Sequence, residues 1–301
     1  MSGEWIAIDW GTSNFRAWLM AGNDVLDKRS ASCGLLHVEP GRFDSTLKML
    51  LGEWVESGSP MIAMAGMVGS QQGWYEVDYC PLPASTDSLL THSKKFTTSW
   101  GSEAWIVPGI RKAPNGDIPD VMRGEEVQLF GLSLLEGIVD FRAILPGTHS
   151  KHARMKKREI VDFSTYMTGE LFHVLITHSL LGRALPDAVV DDSAFLRGVA
   201  ASRRNAALSQ LLFSARTLRL SGEIPPESVS DYLSGLLIGM EFCTDNTGLV
   251  WLVGSTALTR RYQLAANAFG IQTRCIDGDR CFIAGMQSLQ QQLAEKQNGQ
   301  L

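Results

Sequence analysis

Three apolar segments of this chain run straight into glycine and then into hydroxyl-bearing residues. They are residues 6–14 (IAIDWGTSN), 144–150 (ILPGTHS) and 252–257 (LVGSTA). Glycine after a strand lets the backbone turn sharply and come close to a ligand, with no Cβ in the way. The amides and hydroxyls that follow, Gly11, Thr12 and Ser13, then Gly147, Thr148, His149 and Ser150, then Gly254, Ser255 and Thr256, suit a phosphate group. None of the three has the spacing of a P-loop, and no dinucleotide-type glycine pattern follows a strand, so phosphate is expected to be held by another geometry. Asp9 ends the first strand. Its carboxylate would repel a polyphosphate unless a hard divalent ion stood between them, so it is read as facing Mg²⁺; the plainer alternative is an Asx cap on the turn.

The first two turns stand at matching points of a repeat. Strands over 5–10, 15–20 and 25–32 precede an apolar helical period over 43–57, an apolar strand over 60–65 and the glycine-rich loop 66–73. A strand at 143–145, a second pair at 151–155 and 159–163 and a helix over 168–181 restate that order, at a spacing of about 135 residues. Residues 74–100 read as an insertion or surface excursion, followed by a strand over 104–108 and a helix over 125–136. Helices over 192–199, 205–217 and 229–244, a strand over 249–253, a helix over 262–269, a strand over 271–276 and a helix over 282–292 complete the chain. The expectation is an α/β protein of two similar halves, 1–135 and 136–301, around a nucleotide cleft.

Composition narrows the function. The 301 residues carry a net charge of −5, and 45% are hydrophobic. That balance argues against a nucleic-acid partner, whose backbone is bound through many cations. The start of the chain lacks a basic signal-peptide region, and apolar runs such as 233–240 are too short for a membrane span, so a cytoplasmic protein without membrane attachment is expected. The five cysteines are scattered and read as reduced thiols, without metal-ligand spacing.

In its three turns the chain resembles the actin-like ATPase and sugar kinase superfamily, whose members carry duplicated ribonuclease-H-like lobes. More closely, AIDWGTSNFRAWL (7–19), MAGMVGS (64–70), VMRGEE (121–126), LPGTHSK (145–151) and MTGEL (167–171) are similar to the 2-dehydro-3-deoxygalactonokinase family. The resemblance implies an ATP- and Mg²⁺-dependent kinase that phosphorylates the 6-hydroxyl of 2-dehydro-3-deoxy-D-galactonate. The first half would take the sugar acid and the second the nucleotide.

A primary alcohol needs a base to accept its proton during phosphoryl transfer. By the resemblance, Glu125 is the first choice and Glu126 the second, with Asp9 a third; both glutamates could instead simply favour a helix N-terminus. Arg123 and Arg16 are the candidate anchors for the substrate carboxylate, since a guanidinium grips carboxylates well. Asn14, Gly66, Met67, Ser70 and Gln71 are expected near sugar hydroxyls, with Trp74 either a pocket wall or a packed side chain. A homodimer is the default assembly. The competing readings are a kinase for another sugar acid, a non-catalytic nucleotide-binding regulator or scaffold, and, more remotely, cysteine-dependent acyl transfer.

Overall fold

The computed structural model describes residues 3–56, 58–113, 118–243, 248–297 and 299. The chain opens with β1 (Glu4–Trp10), β2 (Phe15–Ala21) and β3 (Asp24–Ala31), then α1 (Phe43–Leu51) and β4 (Met61–Ala65). There follow β5 (Cys80–Pro81), α2 (Thr86–His92), β6 (Lys94–Thr97), β7 (Glu103–Ile106), β8 (Ile110–Lys112), β9 (Asp120–Met122) and α3 (Glu125–Glu136). The second run comprises β10 (Phe141–Leu145), β11 (Ser150–Lys156), β12 (Glu159–Tyr166), α4 (Thr168–His178), α5 (Asp192–Ser202), α6 (Leu208–Leu220) and α7 (Val229–Phe242). It closes with β13 (Leu249–Gly254), α8 (Thr256–Ala268), β14 (Gln272–Asp277) and α9 (Gly278–Gln297).

The repeat is visible in the sheets. One has the order β3-β2-β1-β4-β7-β6 and the other β12-β11-β10-β13-β14. Leaving aside β6, each is a three-strand meander whose first strand pairs with one later strand, which in turn pairs with the next. β1 runs antiparallel to β2 and parallel to β4, with Asp9 opposite Ala65. β10 runs parallel to β13, and β13 parallel to β14. This is the duplicated ribonuclease-H-like arrangement expected from the sequence.

Contacts along the chain define two compact units. The first holds Met1–Asp140, Arg154–Phe163 and Gly278–Leu301, and the second Phe141–Ala153 and Ser164–Asp277. The far end of the β11–β12 hairpin thus groups with the first unit, where Ile160 and Ala84 exchange backbone hydrogen bonds. In the first unit, Ile6, Ile8 and Trp10 of β1 and Ile62 and Met64 of β4 pack against Phe43, Leu47 and Leu51 of α1. Strand β3 is the exposed edge; its Asp24, Asp27, Lys28 and Arg29 keep it from pairing with other chains. In the second unit, Val250 and Leu252 of β13 pack with Phe195, Val199, Ile238 and Tyr262, and a further cluster lies among α5, α6 and α7.

Several boundaries differ from the periodicity. Helix α1 stops at Leu51, since Gly52 has φ +49 and a short 3-10 turn takes over; the expected end at Ser57 lies outside the described residues. Thr244, the expected end of α7, lies outside them too. Residues 74–100 are no loose excursion. Ser85 and Ser88 form a capping box on α2, and Trp74, Tyr75 and Phe96 pack together, with Trp74 and Phe96 centroids 4.9 Å apart. Helix α8 starts six residues before the expected point because its first turns are polar on the outside, which blurs the apolar period.

Candidate active site

The first turn, between β1 and β2, is held from behind. Gly34 N, Leu35 N and Leu36 N donate to Ser13 O, Gly11 O and Thr12 O at 3.0, 3.0 and 3.2 Å, and Gly11 N donates to Asn14 O at 2.9 Å. The carbonyls are therefore used up, whereas the amides of Thr12, Ser13 and Asn14 have no acceptor among the described residues. Exposed amides presented this way are what an anion requires. A cavity of about 400 Å³ opens beside the turn, lined by Asn14, Phe15, Arg16, Ser30, Ala31 and Ser32.

Asp9 is partly buried at the mouth of this turn. Its Oδ2 accepts from Arg16, whose other terminal nitrogen reaches Asp279, which in turn accepts from Lys28 at 2.6 Å. Burial pushes the Asp9 carboxyl up, and the Arg16 guanidinium only partly offsets that. Its Oδ1 has no donor among the described residues, so one oxygen remains for a cation. Arg16, a candidate substrate anchor, is thus committed to two carboxylates. Asp279, at the start of α9, carried no sequence signal.

Gly66 follows β4 with φ +95, and a Cβ there would lie 2.8 Å from Trp10 O and 3.2 Å from Asp9 Oδ1. On its other side is Gly124, whose own Cβ position is 3.4 Å from Gly66 Cα. The Gly66 backbone thus brings the Asp9 turn next to the turn that carries Arg123, Glu125 and Glu126. The parallel strands explain this: the loops after β1 and β4 leave the same edge of the sheet.

Around that second edge lie polar atoms that the fold does not satisfy. Arg123 is buried beneath the ring of Tyr79, with its guanidinium carbon 4.3 Å from the centroid, and Nη2 donates to Val77 O at 2.8 Å. Among the described residues its Nε and Nη1 have no partner, nor does Ser70 Oγ or Glu126 Oε1. Buried polar groups left unpaired by the protein mark a place for a ligand. The two glutamates differ. Glu126 is fully buried; burial first, and then the charge of Glu125, pushes its carboxyl up to about 8, although Oε2 accepts from Gly124 N at 2.7 Å. Glu125 is only half-buried and accepts from Arg123 N at 3.1 Å.

Met67 is half-buried against the first core, and Gln71 is exposed. Trp74 stacks on Phe43 with centroids 6.4 Å apart, a packing position.

In the second unit the other two turns adjoin each other: a Cβ on Gly254 would lie 3.9 Å from Pro146 Cδ. Thr148 O accepts from Glu170 N at 3.0 Å, which seats the turn on the start of α4, and His149 bonds Glu170. Ser150 is buried, its hydroxyl donating to Glu241 at 2.7 Å. Ser255 stands at the N-cap position of α8 without a side-chain cap bond, and the first amides of that helix, those of Thr256 and Ala257, are directed outward from its N-terminus.

A family model described as 2-keto-3-deoxy-galactonokinase matches residues 9–289. The chain belongs to this 2-dehydro-3-deoxygalactonokinase family. The 2-dehydro-3-deoxygalactonokinase of Escherichia coli (strain K12) is 37% identical over 294 residues, covering 96% of this chain and 98% of that protein. A crystal structure from Sinorhizobium meliloti that bears the same activity name superposes with a TM-score of 0.88 at 32% identity, covering 96% of this chain and 99% of that one. The ADPNP-bound activator of 2-hydroxyisocaproyl-CoA dehydratase from Clostridium difficile shares the fold alone, with a TM-score of 0.53 at 11% identity over 99% of this chain and 98% of that one. In this 2-dehydro-3-deoxygalactonokinase family member, the described residues include no helix long and apolar enough to cross a membrane.

Proposed function

We propose that this chain transfers the γ-phosphoryl group of ATP to the 6-hydroxyl of 2-dehydro-3-deoxy-D-galactonate, giving the 6-phosphate and ADP. Full-length similarity to the Escherichia coli enzyme carries the reaction and the substrate. The residues fit both components. Asp9 Oδ1 and the Thr12, Ser13 and Asn14 amides suit Mg²⁺ and phosphate oxygens in the first unit, and the Gly147–Thr148 and Gly254–Thr256 turns suit the nucleotide in the second. The magnesium nucleotide supplies the phosphoryl group and neutralises its charge.

Arg123 binds the substrate carboxylate through Nη1, one of its two nitrogens without a partner among the described residues. Ser70 Oγ, likewise without a partner among the described residues, takes a sugar hydroxyl. Glu125 accepts the proton of the 6-hydroxyl as the oxygen attacks; Glu126 holds its own proton at neutral pH and cannot accept another. The sugar acid belongs to the first half of the chain and the nucleotide to the second, in a protein working in the cytoplasm where ATP is supplied.

The test is purified full chain with magnesium and ATP against a panel of 2-keto-3-deoxy sugar acids, reading ADP release and the phosphorylated product by mass. The expected result is turnover with the galactonate-derived acid and a product phosphorylated at C6. Turnover confined to a different sugar acid, or none with any, overturns the assignment.

A further inference from the structure

Glu241 lies fully buried in α7, within an otherwise apolar stretch of the helix. A carboxylate taken out of water has to be supplied with donors, and here three of them converge. Ser150 Oγ and the His152 Nε2 proton reach Oε2 at 2.7 and 2.8 Å, and the Tyr262 hydroxyl reaches Oε1 at 2.6 Å. Ser150 and His152 are two apart on β11, so the pleat puts both on one face; Lys151, on the other, bonds Thr165 at 2.8 Å.

The donors come from the elements that form the nucleotide turns. Ser150 ends the 146–149 connection and Tyr262 lies on α8, the helix that the Gly254–Thr256 turn opens. Helix α4 meets the second turn where Glu170 N donates to Thr148 O at 3.0 Å. Burial, and then the Glu241 charge, push the Tyr262 phenol well above its usual value, so it remains a donor. Pro146 and Gly254 close the circuit at the surface.

We propose that Glu241 is a positioning residue for nucleotide binding: through Ser150 and Tyr262 it locks the second and third glycine turns into one rigid seat for the nucleotide phosphates. The Ser150 hydroxyl is then a tether to the interior, and the turn offers its backbone amides to the ligand. This rests on the kinase reading above.

The experiment compares Ser150→Ala, Ser150→Thr, Glu241→Gln and the Ser150→Ala/Glu241→Gln double variant, all as full chain. Calorimetry with Mg·ATP gives the affinity, steady-state assays give KM for each substrate, and thermal melts check the fold. Losing a charge-assisted tether should raise the Mg·ATP Kd roughly 10-fold in each single variant. KM for the sugar acid should stay within roughly twofold, and the double variant should be no worse than Glu241→Gln alone. Ser150→Thr, which retains the hydroxyl, should bind like the parent. Should Glu241→Gln fail to fold, the Ser150→Ala and Ser150→Thr pair still decides. Normal Mg·ATP affinity in Ser150→Ala, additive losses, or equal weakening of both substrates overturns the proposal. A parent chain with no affinity for Mg·ATP overturns the kinase reading and this proposal with it, whereas a competent parent with unaffected variants removes the positioning role alone.

Discussion

Glu126 sits at the start of α3 with its ordinary carboxyl value of 4.5 pushed up to about 8. In the unfolded chain it loses its proton near 4.5, while the folded chain keeps it to about 8. Between those values the folded state binds one more proton, so stability falls as pH rises, by at most about 1.4 kcal/mol per pH unit. The contribution is whole below the lower value and gone above the upper one. Glu126→Gln has no proton to lose there. It should melt above the parent at pH 8, with a gap that narrows towards pH 5; a gap independent of pH would refute the buried neutral acid. Glu125→Gln should lower kcat by roughly 10²- to 10⁴-fold while Mg·ATP still binds in calorimetry. Retained kcat would assign the base elsewhere. The adjacent glutamates were visible as a pair in the sequence. Which of them is buried was not, because burial at the start of a helix is set by whatever segments pack over it from elsewhere in the chain.

At the scale of elements, helices α3 and α9 approach so closely that glycines form the contact. A Cβ on Gly131 would lie 1.7 Å from Cys281 O, and one on Gly285 would lie 2.1 Å from Val127 O. Gly131→Ala should therefore destabilise the first unit by at least about 1–3 kcal/mol, the usual cost of overpacking, since backbone rather than a side chain must move. Chemical denaturation reads this, and an unchanged midpoint would mean the helices slide apart freely. Gly66→Ala is a different case. Strain at φ +95 and the clash with Trp10 O and Asp9 Oδ1 should disturb Asp9 as well as stability. Most strands and helices were readable from periodicity, α3 to its very ends. Residues 74–100 were not, because their order comes from Trp74 stacking on Phe43, distant in sequence, and from Tyr75 and Phe96 packing against Trp74.

For the whole molecule, ligand binding and stability are linked. Mg·ATP at 100 times its Kd should stabilise the chain by about 2.7 kcal/mol, seen as a raised melting temperature. Adding EDTA should remove most of that shift, and Asp9→Asn should blunt the magnesium dependence while leaving the melt without ligand close to the parent. An ATP-induced shift indifferent to EDTA would mean that Asp9 serves no cation.

The order of the chain by itself determined the duplicated fold, the three glycine turns and the family, since each is written in local runs of residues that strand pairing and tight turns demand. Only the tertiary structure decided which polar groups are spent and which are left over. Arg16 is taken up by Asp9 and Asp279, Ser150 by Glu241, and Trp74 by its aromatic neighbours, while two nitrogens of Arg123 have no partner among the described residues. The physical reason is that burial and hydrogen bonding are set by partners far along the chain, and a carboxylate such as Glu241 acquires its meaning only when strand and helices close around it.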